Sequence, residues 1–220
     1  MKITAIIASG GYGLRMGSDM PKQFIRIKDK PILAYTLSAF GRHADINEII
    51  LTSPSGYETI SRDIVNQYEI NKVSQIVTGG GSRQQTVYNA LQAADDTGII
   101  IIHDAVRPFI TYNEIQRGIN GARAYGACSL GVPVKDTIKQ CDKNGFVIQT
   151  LPREVLWQIQ TPQAFSASII KDAHEQARRD NFTAADDAEL TERIGCPTRI
   201  IMGSYANIKI TTKEDLLFFQ

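Results

Sequence analysis

The stretch from Ser9 to Gln23, SGGYGLRMGSDMPKQ, concentrates the residue types that bind polyanions. Gly10, Gly11 and Gly13 let the backbone approach an anion closely and turn its N–H groups toward it, forming an anion nest. Arg15 and Lys22 add two fixed cations within the same loop. A purely structural turn is the alternative, but such a turn has no need of two cations beside clustered glycines. A triphosphate is the natural guest. The stretch has no GxxxxGK[ST] pattern, and no acidic residue stands about 20 positions on as a dinucleotide ribose partner, so a P-loop NTPase and an NAD-dependent dehydrogenase are both disfavoured.

A second glycine-rich junction, TGGGSRQQT, runs from Thr78 to Thr86. A helix starting there would present free N–H groups and its positive dipole end to an anion, while a plain loop with Ser82 as N-cap explains the same letters. Asp104 ends an isoleucine-rich run, at the strand end where open parallel sheets place ligands. Its carboxylate could hold Mg²⁺ or a substrate hydroxyl, or simply cap the next turn; Mg²⁺ normally takes one or two carboxylates together with waters and phosphate oxygens. Arg107, three residues on, could orient Asp104 or line the same cleft, and His103 reads as a packed strand-end histidine rather than a base. Lys209 stands between Ile208 and Ile210, and a lysine buried there must find an anion. No nucleophile–base triad is visible.

These residues need a scaffold, and the apolar pattern supplies one. Short β-branched runs recur at Ile3 to Ala8, Glu48 to Thr52, Val73 to Val77, Ile99 to His103 and Cys128 to Val134, spaced widely enough for a helix between them. Runs that are apolar on both faces are what parallel strands covered on each side require. Helical spacing marks Ile32 to Phe40 behind Pro31, Ser82 to Ala94, Ala167 to Arg178 and Asp187 to Ile194. Further strands are expected near Thr198 to Met202 and Asn207 to Ile210, with a last helix from Lys213. The fold class is therefore α/β: a Rossmann-like open, mostly parallel sheet with helices on both faces. Residues 135–152 interrupt this pattern with two alternating segments, Asp136 to Cys141 and Phe146 to Leu151, around Asp142-Lys143-Asn144-Gly145. They predict an inserted β-arm, either packed back on its own domain or paired with a twin arm in a homodimer, since a lone hairpin is marginal in water.

Composition sets the remaining bounds. The 220 residues carry 24 Lys and Arg against 23 Asp and Glu, a formal net charge of +1, which speaks against a nucleic-acid partner. At 43% hydrophobic the chain can bury a core as one domain spanning 1–220. Three scattered cysteines form no disulfide or zinc pattern and suit a reducing cytoplasm. The N-terminal apolar run is too short for a signal peptide or a membrane span, so no membrane partner is expected.

The string GGYGLRMGSDMPKQF resembles the signature of sugar-nucleotide-type nucleotidyltransferases, and its PKQ ending resembles the cytidylyltransferase branch that loads polyol phosphates onto CMP. The likeness continues in His103-Asp104-Ala105-Val106-Arg107-Pro108-Phe109, in Val132 to Lys139 (VPVKDTIK), in Leu156-Trp157 with Gln160-Thr161-Pro162-Gln163, and in Asn207-Ile208-Lys209-Ile210-Thr211. It thus spans nearly the whole chain. The resemblance to polyol-phosphate cytidylyltransferases implies that a phosphate oxygen of the polyol attacks the α-phosphorus of CTP and pyrophosphate departs, with Mg²⁺ as the divalent cation. The VPVKDTIK and LW…QTPQ strings favour the branch that uses methylerythritol phosphate in non-mevalonate isoprenoid synthesis over the ribitol-5-phosphate branch. A nucleotide-binding module that has lost turnover is the alternative from another class.

The resemblance assigns catalysis to Arg15, Lys22 and Lys209. It places the nucleotide at Ser9, Gly10, Gly11, Gly13, Gly80, Gly81, Thr86, Asp104 and Ala105, with Arg83 nearby. It places the polyol phosphate at Asp104, Arg107, Thr137, Arg153 and Thr161, and leaves any metal to Asp104. It also implies a dimer in which an arm from one subunit completes the other's site, Arg153 lying just beyond the arm. One departure stands out: family members usually carry Thr or Ser before the aspartate matching Asp186, where this chain has Ala185. Thr183 is the nearby hydroxyl that could replace it in holding the substrate phosphate.

Overall fold

The structure is a computed structural model that describes residues 1–11, 20–96 and 98–219. In chain order its main elements are β1 (Ile3–Ala8), β2 (Arg26–Ile27), β3 (Lys30–Pro31), α1 (Ile32–Gly41), β4 (Glu48–Ser53), α2 (Glu58–Gln67), β5 (Val73–Thr78), α3 (Arg83–Ala93), β6 (Ile99–Asp104), α4 (Tyr112–Tyr125), β7 (Ala127–Pro133), β8 (Lys139–Cys141), β9 (Val147–Thr150), β10 (Trp157–Ser166), α5 (Ala167–Arg179), α6 (Asp187–Arg193) and β11 (Arg199–Met202). A seven-stranded sheet runs in the order β11-β7-β10-β6-β1-β4-β5. All its pairings are parallel except those of β10, which lies antiparallel between β6 and β7.

Successive strand residues point to opposite faces, so the isoleucine run of β6 feeds two cores at once. Ile99 and Ile101 pack with Leu33, Leu37 and Phe40 of α1 and Ile115 and Ile119 of α4. Ile100 and Ile102 pack on the other face with Val87 and Leu91 of α3 and Ile170 of α5. Helices therefore cover both faces, as the doubly apolar strands require. Pro31 precedes the first residue of α1, and the Ser82 hydroxyl accepts the Gln85 N–H to start α3.

β10 is an element that the strand pattern does not reveal, because three glutamines, a threonine and a proline run through it. Its second half is nevertheless buried, and its polar groups are satisfied there: Gln163 donates to the Ser129 hydroxyl and to Asp186, and accepts the Asp187 N–H. The expected strand at Asn207 to Ile210 is not formed. That segment is extended but held by separate anchors, the Asn207 amide donating to the Thr161 carbonyl and the Ile210 N–H to Val106. The final helix is a 3₁₀ run, Glu214–Phe219.

The arm is present as the pair β8 and β9, closed by a turn in which Gly145 donates to the Asp142 carbonyl and takes a left-handed φ of 87°. The Asp142 carboxylate accepts the Asn144 and Phe146 N–H groups. Every residue from 139 to 150 is exposed, so within one chain the arm does not fold back on the sheet.

Candidate active site

The C-terminal ends of β1, β5 and β6 open into a cleft of about 650 Å³, lined on one side by Ser9, Gly10 and Gly11 and on the other by Gly80, Gly81 and Ser82. The two glycine-rich junctions abut. A Cβ at Gly10 would stand 2.5 Å from the Thr86 hydroxyl, and one at Gly79 would stand 2.7 Å from the Gly10 Cα, so packing excludes side chains there. Gly11 and Gly81, in contrast, have open space where a side chain would go. Ser9 is pinned by its N–H to Thr52, and the buried Gln23 amide donates to the carbonyls of both Ser9 and Gly11, at 2.7 and 3.1 Å. Thr86 lines the cleft, but its hydroxyl is already engaged, accepting the Gly80 N–H and donating to the Ser82 carbonyl.

Asp104 lies at the floor, 5% exposed and surrounded by cations. Arg83 Nε stands 3.2 Å from Oδ1, Lys209 Nζ 2.8 Å from Oδ2, and Arg107 Nε 3.5 Å from Oδ2. Burial alone would raise the pKa of this carboxyl, but Arg83, Lys209 and Arg107 outweigh it and hold the group ionised far below the ordinary carboxylate range. Ala105 also lines the cleft, its carbonyl fixed by the Thr36 hydroxyl. Lys22, in a 3₁₀ turn, reaches across to the Ile210 carbonyl at 2.9 Å and so ties the first glycine loop to the segment that presents Lys209.

Thr161 stands behind Asp104 rather than in the cleft. Its hydroxyl accepts the Asp104 N–H at 3.0 Å and meets His103 Nδ1 at 3.1 Å. Since His103 Nε2 faces the Arg107 carbonyl at 3.2 Å, it must be the protonated nitrogen, and Nδ1 accepts from Thr161. Every polar atom of the ring is satisfied in its neutral form, and burial pushes its pKa down to about 4, mainly by desolvation. His103 is thus a structural histidine. Because its folded pKa lies below its unfolded one, the unfolded chain alone takes up a proton as pH falls from about 6.5 to 4, and stability drops by roughly 3 kcal/mol over that window. Urea unfolding of the parent and of His103→Gln should therefore diverge in pH slope between those limits; parallel slopes would refute the neutral, buried assignment.

The remaining sequence-derived site residues are dispersed. Arg107, Lys209 and Asn207 line a smaller recess beside the cleft. Thr137 and Arg153 are exposed at the base of the arm, Arg153 donating to the Lys135 carbonyl. Thr183 lines a separate depression between α3 and α5, and Ala185 donates its N–H to Glu189; neither lines the main cleft. Arg15 and Gly13 lie outside the described residues. Arg83 is the functional residue whose sequence signal is weakest, and that signal is its position at the start of α3. A cation at the first position of a helix faces the positive dipole end, and such an electrostatic misfit is a signal that something else holds it.

A metal ion finds no protein cage here, since no cluster of three or more His, Cys, Asp or Glu exists among the described residues. Asp104 has one oxygen on Arg83 and the other on Lys209, so a metal would meet cations on both. As arranged, the described residues form no ready-made cage for a divalent cation.

A family model described as IspD, 2-C-methyl-D-erythritol 4-phosphate cytidylyltransferase, matches residues 3–220. The chain belongs to that family. Curated proteins of that name from Pelotomaculum thermopropionicum and from Clostridium botulinum (strain Langeland) are 45% and 47% identical over 217 residues, covering 98% of this chain and 91% and 95% of theirs. A crystal structure of the 4-diphosphocytidyl-2C-methyl-D-erythritol synthase of Anaerococcus prevotii superposes with a TM-score of 0.87 at 33% identity, covering 99% of this chain and 94% of that one. The fold is thus that of the family's nucleotidyltransferases, and the protein is an enzyme of the cytidylyltransferase class.

Proposed function

We propose that the protein joins CTP and 2-C-methyl-D-erythritol 4-phosphate, giving the CDP-linked polyol and pyrophosphate in isoprenoid precursor synthesis. The observation that carries this reading is one cleft lined by two glycine-rich junctions and Lys22 together with a buried carboxylate ringed by Arg83, Arg107 and Lys209.

A phosphate-monoester oxygen of the polyol forms a bond to the α-phosphorus of CTP, and the bond from that phosphorus to the α,β-bridging oxygen breaks, its electron pair leaving with pyrophosphate. The nucleophile is already an anion near neutral pH, so no side chain has to remove a proton. What the protein supplies is in-line positioning and a preorganised positive field. Gly10 and Gly11 offer backbone N–H groups to the triphosphate beside Ser9, whose own N–H is held by Thr52, and Gly81 leaves room for the nucleoside next to Gly80. Lys22 and Lys209 line the cleft where charge grows on the α-phosphate and the leaving group, and the resemblance assigns Arg15 the same task. Asp104 holds Lys209 and Arg107 in place and offers its carboxylate to a polyol hydroxyl. Mg²⁺ bound to the triphosphate of CTP would supply further positive charge to offset the phosphates.

Thr137 and Arg153 stand at the base of an arm that extends away from its own chain, and a second copy would bring them to the polyol phosphate. Arg153 suits bidentate phosphate binding. The working form is then a cytoplasmic homodimer, each chain a single nucleotidyltransferase domain of 1–220 joined to its partner through the 135–152 arm.

Pyrophosphate release, measured with methylerythritol phosphate, ribitol phosphate and related polyol phosphates against each of the four NTPs, tests the assignment. Highest kcat/KM with CTP and methylerythritol phosphate is the expected result. Preference for ribitol phosphate would move the chain to the other substrate, and absence of turnover with every pair would make it a binding module. Because Thr183 and Ala185 lie apart from the cleft, Thr183→Ala and Ala185→Thr should each leave both KM values within about twofold, as is usual for surface changes. A larger change in the polyol KM alone would place this loop on the substrate phosphate.

A further inference from the structure

Arg83 is held from behind by a carboxylate that the reaction itself does not require. Asp187, the first residue of α6, is 1% exposed and accepts Arg83 Nη1 at 2.7 Å through Oδ2. Its other oxygen, Oδ1, accepts His174 Nε2 at 3.1 Å, from a histidine on α5 that is 2% exposed. Its backbone N–H is taken by Gln163 of β10. Three consecutive elements, β10, α5 and α6, thus converge to fix one carboxylate against the guanidinium of Arg83, 104 positions away.

Stability alone accounts poorly for this arrangement. A buried ion pair recovers little more than its desolvation cost, and Arg83 stands at the end of α3 where the helix dipole opposes a cation. Asp104 also has two further cations besides Arg83, with Lys209 2.8 Å and Arg107 3.5 Å from Oδ2. What the pair does achieve is orientation. With Nε on Asp104 and Nη1 on Asp187, the guanidinium plane is fixed at two points, and only two of its five donor hydrogens are used. The side chain lines the cleft next to Gly80 and Gly81 and is 30% exposed, so a nucleotide can take the others.

Resting on the proposed reaction, we infer that Asp187, backed by His174, is a positioning residue that presents Arg83 to the nucleotide. Asp187 touches no substrate. Losing it frees Arg83 to swing onto Asp104, which lowers CTP affinity and leaves the charges that stabilise the transition state, Lys22 and Lys209, in place.

The test compares Asp187→Asn, His174→Phe and His174→Gln with the parent, by calorimetric titration with CTP and by steady-state kinetics. In Asp187→Asn the amide can accept from only one neighbour and turns an N–H against the other. CTP Kd and KM should rise about ten- to a hundredfold, the range expected for a lost hydrogen bond to a charged group, with kcat at saturating CTP within about threefold and the polyol KM unchanged. His174→Phe should reproduce part of this rise. His174→Gln, which keeps a donor near the Nε2 position, should restore parent affinity. Combining Asp187→Asn with Arg83→Ala should weaken CTP binding no further than Arg83→Ala alone.

An unchanged CTP Kd in Asp187→Asn, multiplicative loss in the double variant, or an equal fall in kcat and both affinities tracking a lower Tm would each overturn the inference. If Asp187→Asn does not fold, equal CTP affinity in the two His174 variants overturns it, and a rise confined to His174→Phe sustains it. A parent that binds CTP but turns over no polyol phosphate refutes the proposed reaction while the affinity comparison still decides the role of Asp187. A parent that binds no CTP refutes both.

Discussion

Lys22→Ala is expected to lower kcat by about 10²–10³, the usual cost of deleting one preorganised contact to developing charge, while the far-ultraviolet spectrum stays that of the parent. Lys22 is placed by structure that does not depend on its charge. The 3₁₀ turn that carries it is anchored by Phe24, 4% exposed, and by Gln23, whose amide pins Ser9 and Gly11. Its hydrogen bond to the Ile210 carbonyl couples it to the Lys209 segment. Lys22→Gln separates the two contributions, since glutamine can donate to that carbonyl but carries no charge. If charge on the triphosphate is what matters, Lys22→Gln and Lys22→Ala fall together in kcat. Both should change CTP KM less than kcat, because the contact strengthens as charge moves toward the leaving group. Arg15→Ala, in the same glycine loop, should match them in magnitude. Parent-like pyrophosphate release by Lys22→Ala at saturating substrates would remove the lysine from the reaction and undo the reading of the loop.

Much of this site is legible in the sequence because the signals are local. The Ile99 to Ile102 run is apolar on both faces, and only a strand covered on both sides needs that, so β6 and the position of Asp104 at its end follow directly. The same holds for the Asp142 to Gly145 turn. Signals that depend on distant partners are hidden. β10 carries glutamines whose burial makes sense only once Ser129, Asp186 and the Asp187 N–H stand opposite them. Residues 207–210 alternate like a strand, yet their hydrogen bonds run to Thr161 and Val106 rather than along a ladder. Asp187 is silent for a different reason: an acidic residue in the first turn of a helix is favourable by itself, so its pairing with Arg83, 104 positions away, leaves no trace in the spacing. Thr183, chosen for its hydroxyl and its nearness to Ala185, shows the converse, since closeness in sequence did not bring it to the cleft.

Replacing Lys139–Gln149 with two glycines is expected to yield a folded monomer that has lost turnover of the polyol phosphate. The cut is geometrically mild, because Lys139 pairs with Thr150 and the Leu151 N–H donates to the Ile138 carbonyl, which places the new ends side by side. The core should be unaffected: the excised residues are exposed throughout, and neither large core cluster includes any of them. The arm itself is a poor independent unit, two short strands whose tip and second strand expose Phe146 at 73%, Val147 at 58% and Ile148 at 61%. An apolar strip of that kind on a marginal hairpin calls for a covering surface, and among the described residues of the chain there is none. A second copy offering the same strip would bury both and carry Thr137 and Arg153 to the neighbouring cleft. Loss of dimerisation and loss of polyol turnover should therefore appear together in light scattering and in the pyrophosphate assay, with CTP affinity reduced far less, because the glycine junctions and Lys22 lie on the sheet. A truncated protein that remained dimeric and fully active would leave the arm without a part in either assembly or catalysis, and Arg153 would have to reach the substrate from its own chain.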